Sequence, residues 1–157
     1  MRRTLNLIPV VIALIACAKT ETPPADTAAA MAPEPAAMAP VAVTETDVAG
    51  TWTGTSKAEG SDSVVSKWTQ VCAAGKCKGT NEGSKAVVNS TYTLAGDSAV
   101  GTTTPYSNPM MAKGAKIVDT WVSHINGENV TGTGAMKLAS KPDSVVMRYS
   151  FTGSRQR

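Results

Sequence analysis

The chain is short of the groups on which most enzyme chemistry rests: it has one His, three Cys and 4% aromatic residues, and 17% of its side chains are charged. His124 has no acidic or Cys ligand beside it, and no paired carboxylates are visible, so no general acid and base stand together in the sequence. Cys-x-x-Cys and Cys-x-x-Cys-His are both missing, which excludes a redox pair and a haem attachment of those types. Two Cys with no His or further Cys nearby hold at most half a zinc site, so no catalytic residue, metal or cofactor is expected. No apolar run approaches the roughly 20 residues of a membrane-crossing helix. Nor does an amphipathic pattern supply the crossover helices that a parallel sheet needs. The 15 basic and 12 acidic residues leave a net charge of +3, too balanced to imply a nucleic-acid partner. At 157 residues the chain has room for one small domain, whose core leans on Val, Met, Leu, Ile and three Trp.

The N-terminus carries the clearest targeting signal. Arg2 and Arg3 precede an apolar run from Leu7 to Ala16, the charged and apolar parts of a secretory signal. Even from Leu5 to Ala16 the run is 12 residues, too short to span a bilayer. Leu14-Ile15-Ala16-Cys17 resembles a bacterial lipobox. The resemblance implies that Cys17 receives a diacylglyceryl group and becomes the first residue after cleavage. Membrane lipid would then be a partner through Cys17, holding the chain on the periplasmic side of a bacterial membrane, with inner or outer membrane left open. If the segment is retained, it is a short anchor packed against partner helices, and an incidental buried thiol is the remaining reading of Cys17.

Residues 18–47 change composition sharply, to Pro, Ala and Thr with five acidic residues against Lys19, a net charge of −4. Pro23, Pro24, Pro33, Pro35 and Pro40 deny a continuous helix, and the Ala runs offer too little apolar area for a core. The segment reads as a tether extending at about 3.1 Å per residue. It is either a plain spacer or a strip that orders along a partner through Met31 and Met38. The expected organisation is a signal segment with lipobox over 1–17, a tether over 18–47 and a β domain over 48–157.

The β domain has a net charge of +5, spread along its length. Only Lys76, Lys78 and Lys85 cluster, without the interleaved aromatics of a single-strand nucleic-acid binder. Strand signals separated by Gly, Asp and Asn recur at Gly50–Lys57, Ser63–Val71, Ala86–Leu94, Ser98–Thr103, Lys116–Ile125, Asn129–Leu138 and Ser144–Thr152. Alternation is clearest near the end, where Val145, Met147, Tyr149 and Phe151 share one face. In the preceding strand Val130, Gly132, Gly134, Met136 and Leu138 do the same, and the two glycines leave room for a large side chain to pass close by. Asn126-Gly127 is a hairpin signal. The expected fold is all-β, an antiparallel meander of about seven strands closing into a small barrel rather than a sandwich.

Gly50-Thr51-Trp52 resembles the first-strand Gly-x-Trp signature of calycin-type barrels such as lipocalins and avidins. The resemblance implies that Trp52 closes one barrel end and that the interior takes a small apolar ligand; otherwise Trp52 simply anchors a β core. Cys72 and Cys77, with four residues between them and a Gly among the four, can turn to the separation a disulfide needs in an exported chain. Asp119 shares a strand face with Ile117, Trp121 and Ser123, and three placements are open to it: facing solvent, paired with a Lys or Arg, or lining a pocket. Tyr106, Met110 and Met111 lie in an irregular loop between two strands, as interface material or as a cover over an open barrel end. Two functions fit. The first is a membrane-tethered extracytoplasmic subunit of a membrane assembly, in contact with its protein subunits. In size and layout the chain resembles exported lipoproteins of Gemmatimonas-like bacteria, and a periplasmic accessory subunit of their photosynthetic reaction-centre and light-harvesting complex among them. The second is a lipocalin-like carrier of a small apolar ligand.

Overall fold

The computed structural model describes residues 41–157. The signal segment, Cys17 and the tether up to residue 40 lie outside the described residues. In chain order the elements are α1 (Glu45–Val48), β1 (Gly50–Ala58), β2 (Val64–Ala73), β3 (Lys76–Asn81), β4 (Val87–Ala95), β5 (Ser98–Thr103), β6 (Tyr106–Ser107), β7 (Lys116–Asn126), β8 (Asn129–Leu138) and β9 (Lys141–Arg155). No helix among the described residues is long and apolar enough to cross a membrane.

Each strand pairs antiparallel with the next, except that β5 passes over β6 to pair with β7, and β9 returns to β1. Eight strands thus close into an up-and-down barrel, while the two-residue β6 lies against the start of β7. Closure satisfies the backbone of every barrel strand on both sides and leaves no edge in the ring to template aggregation. The barrel strands exceed the expected seven by one, β3. Its sequence Lys-Cys-Lys-Gly-Thr-Asn is too polar to register as a strand, but Cys77 and Gly79 fall on its inner face, opposite Cys72 and Gln70 of β2.

Tight turns set the register. Ala74 and Gly75 join β2 to β3, both with positive φ (51° and 75°), the geometry of a twisted two-residue hairpin. Between β7 and β8 the turn pair is Gly127-Glu128, flanked by the opposed Asn126 and Asn129, so the expected hairpin is present with Gly127 in its first central position. Alternation then places one face of each strand inside. Met147, Tyr149 and Phe151 of β9 face Met136, Gly134 and Gly132 of β8. Val145 departs from that pattern. The register shifts after Met136, so Val145 pairs with Lys137 and is exposed rather than inside.

Inner glycines make room for inner rings. A Cβ on Gly132 would run into Phe151, one on Gly134 into Tyr149, one on Gly101 into Trp121, and one on Gly54 into Trp68. Pairing a large ring with a bare backbone position on the adjacent strand lets an eight-stranded barrel hold these four rings without bursting. Buried residues form two clusters. One, at the end where β1 begins, contains Val48, Trp52, Cys72, Cys77, Tyr92, Ala99 and Val130; the other contains Tyr106, Ile117 and Met136.

Candidate ligand site in the barrel interior

The end of the barrel where β1 begins is shut by a plug built from the chain entering it. The Thr44 amide and hydroxyl both donate to Asp47 Oδ2 and the Asp47 amide donates to the Thr44 carbonyl, which sets the single turn of α1. The bonds from Thr44 hold the Asp47 carboxyl below its usual range. Glu45 accepts hydrogen bonds at Oε1 from the Ala74 amide and from Tyr92 Oη, both at 2.6 Å, tying α1 to the β2–β3 turn and to β4. Burial, aided by Glu45, pushes the Tyr92 phenol up to about 12. Val43 donates to the carbonyl of Gly96, so the last residues of the Pro/Ala-rich stretch belong physically to this barrel end.

Trp52 lies at the centre of the plug, 2% exposed, and its Nε1 donates to the Val48 carbonyl at 2.8 Å. The Arg155 guanidinium sits 4.5 Å from the ring centroid and donates to the carbonyls of Ala49 and Asp47. One side chain from the last strand thus clamps the first strand and the helix before it. Cys72 and Cys77 are directly opposed across the β2–β3 hairpin and form a disulfide beneath the same plug.

The opposite end is covered differently. Tyr106 turns into the barrel and is 7% exposed, and Met111 packs on the Ile117–Met136 cluster. Met110 is 62% exposed and stands at the rim of the interior cavity. The loop thus folds over the barrel mouth, with Met110 as its free apolar contact.

Between plug and loop a cavity of about 150 Å³ remains. Its walls include Trp52, Trp68, Trp121, Tyr149, Phe151, Met136 and Met147. Trp68 meets Phe151 edge-on at 6.1 Å, which fixes two of these rings against each other. Asp119 also faces this space, although it is 7% exposed. Its Oδ2 accepts a hydrogen bond from Tyr106 Oη at 2.5 Å, and its amide donates to Thr103 Oγ1 at 2.8 Å. Asp119 Oδ1 has no hydrogen-bond partner among the described residues. Burial raises the Asp119 carboxyl above its ordinary range, against the lowering effect of the Tyr106 bond. Burial likewise raises Tyr106 and Tyr149, with the Asp119 charge adding to both. Of the three placements open to Asp119 in sequence, the structure selects the pocket.

No family model, curated protein or solved structure matches the chain. The closed eight-stranded antiparallel barrel is itself consistent with a calycin- or lipocalin-like fold. The expected partnership with membrane lipid is corrected. The cysteine pair of the described residues is an intramolecular disulfide and no site of lipid attachment. Cys17 lies outside those residues, and neither lipid through Cys17 nor membrane-complex subunits are retained as partners.

Hydrolytic chemistry finds no support on the barrel exterior either. Ser98, His124 and Asp97 meet near the β4–β5 turn, but Ser98 Oγ and Asp97 Oδ1 both approach the same ring nitrogen, Nδ1, at 3.0 and 3.8 Å. A relay needs the two on opposite nitrogens, and Ser98 here directs its proton to Asp97 instead. Among the described residues, no group of three or more His, Cys, Asp or Glu could hold a metal ion. Sequence reasoning missed Arg155 and Trp68. Trp68 falls inside the expected strand Ser63–Val71, but only the pairing of β1 with β2 sets it opposite Gly54.

Proposed function

We propose that the protein is a binding protein or carrier for a small, largely apolar molecule, held inside the barrel. One observation carries this reading: the interior is only partly filled, and rings and thioethers wall a cavity of about 150 Å³. Complete filling by Trp, Met and Phe would have argued for a purely structural barrel. A volume of this order suits a single aromatic ring, as in engineered cavities that take benzene, and is too small for a carotenoid or a lipid. The disulfide supports function in an oxidising compartment outside the cytoplasm. The alternative of a subunit in a photosynthetic membrane assembly rests on layout alone, whereas the carrier rests on a built cavity.

The test is titration of the full chain with toluene, followed by intrinsic Trp fluorescence and by thermal shift. Saturable binding that is lost in Val88→Trp, a change at a cavity-lining position, supports the carrier. Absence of saturable binding in the parent chain sinks it.

A further inference from the structure

We propose that the ligand of this barrel is a small aromatic amine, a single ring bearing one ammonium group, with Asp119 as its counter-ion. The inference rests on the carrier reading above and adds the ligand's charge. Asp119 Oδ1 is a buried carboxylate oxygen with no partner among the described residues, in a residue that lines the cavity. Such an atom costs free energy in an empty barrel and is relieved by a donor from outside.

The charge identifies that donor. Among the described residues no Lys, Arg or His lines the cavity, so no side chain there neutralises Asp119. The titratable groups facing it are the phenols of Tyr106 on β6 and Tyr149 on β9, both neutral at physiological pH. Tyr106 engages Oδ2 and leaves Oδ1 free. A neutral alcohol would satisfy the lone pair but leave the charge unbalanced, whereas an ammonium does both. The walls suit the rest of such a ligand, because Trp68, Trp121, Tyr149 and Phe151 offer ring faces to an aromatic body and π-density to a cation. No covalent step is involved. Below the Asp119 pKa the carboxyl must lose a proton before it can pair with the ammonium, so affinity falls tenfold for each pH unit of further acidification.

The experiment compares 2-phenylethylamine with its neutral counterpart 2-phenylethanol on the full chain, by calorimetry at pH 7.5. The amine is expected to bind at least tenfold tighter. Asp119→Asn is expected to erase that preference while changing alcohol affinity less than threefold, and Tyr106→Phe is expected to retain it. Equal or tighter binding of the alcohol to the parent chain overturns the proposal, and so does an amine preference that survives in Asp119→Asn. If that variant does not fold, the parent's pH profile decides. Amine affinity falling with acid while alcohol affinity stays level supports the ion pair, and two level profiles refute it. Toluene binding without an amine preference defeats this inference alone, whereas binding of none of the three probes defeats the carrier reading with it.

Discussion

Replacing Arg155 with Ala tests whether the barrel end is clamped by one side chain. Arg155 donates to the carbonyls of Ala49 and Asp47 and covers the Trp52 ring at 4.5 Å, with 22% of its side chain exposed. Two charge-assisted hydrogen bonds are worth about 1.5 kcal/mol each, and the cation over the ring adds about 1 kcal/mol. Water replaces part of the bonding at the exposed rim, which brings the expected loss to about 3 kcal/mol. For a domain of this size that corresponds to a fall of roughly 10 °C in Tm. Urea unfolding followed by Trp fluorescence measures the loss directly. Arg155→Met keeps the stem over Trp52 and should recover about 1 kcal/mol of it. Arg155→Lys should fall between Met and the parent, because a point charge cannot fork to two carbonyls and lie flat on an indole. A loss below about 1 kcal/mol for Arg155→Ala would refute the clamp and leave Trp52 seated by its own burial and its bond to Val48.

Three further outcomes follow from the same end of the molecule and from its phenols. Replacing both Cys72 and Cys77 by Ala should cost about 2 kcal/mol by loop-closure entropy, because the bridge spans a sequence separation of 5; unchanged urea unfolding would show that the hairpin needs no staple. Ala74→Asn should stabilise by about 0.5–1 kcal/mol, since Ala74 sits at a φ of 51° that Asn tolerates better, and destabilisation in the same assay would contradict the turn geometry. The phenols should ionise late when absorbance at 295 nm is followed with rising pH, Tyr92 near 12. Unfolded phenols titrate at about 10, so the stability linked to the raised values is complete below that pH and is lost as pH rises through the native values. A native midpoint near 10 for all the phenols would contradict their burial.

What the sequence disclosed and what it hid divide along physical lines. The inner faces of β8 and most of β9 were legible because period-two alternation survives wherever one face is buried and the other is wet. Val145 was misplaced because a bulge changes the parity of a strand without changing the composition that reports it. β3 was invisible because Cys77 and Gly79 supply its inner face with a disulfide half and a bare backbone, neither of which raises local hydropathy. The clamp was hidden because Arg155 lies 103 residues beyond Trp52 in sequence, and only closure of β9 onto β1 brings them together. Asp119 was visible as an anomaly on an apolar face, but its surroundings depend on Tyr106, which the loop carries into the barrel from outside that strand.

The two ends of the barrel differ in what holds them, and that asymmetry bears on how a ligand would reach Asp119. At the plug, a disulfide, a guanidinium clamp and the two bonds to Glu45 join α1, β1, β2, β3, β4 and β9, so opening there requires breaking several strong contacts at once. At the mouth, the cover is the segment containing Tyr106, Met110 and Met111, held by the two-residue pairing of β6 with β7, by the Thr104 amide donating to the Asn89 carbonyl, by apolar packing and by the hydrogen bond from Tyr106 to Asp119. An ammonium at Oδ1 would form beside that bond and compensate the same carboxylate that secures the cover. Passage through the mouth therefore displaces one loop with its two-residue pairing to β7, whereas passage through the plug breaks contacts that join six elements. Oδ1 of Asp119, without a partner among the described residues, is a local violation of what a stable core requires, and it sits at the end with the weaker cover, the arrangement expected where stability has been given up for binding.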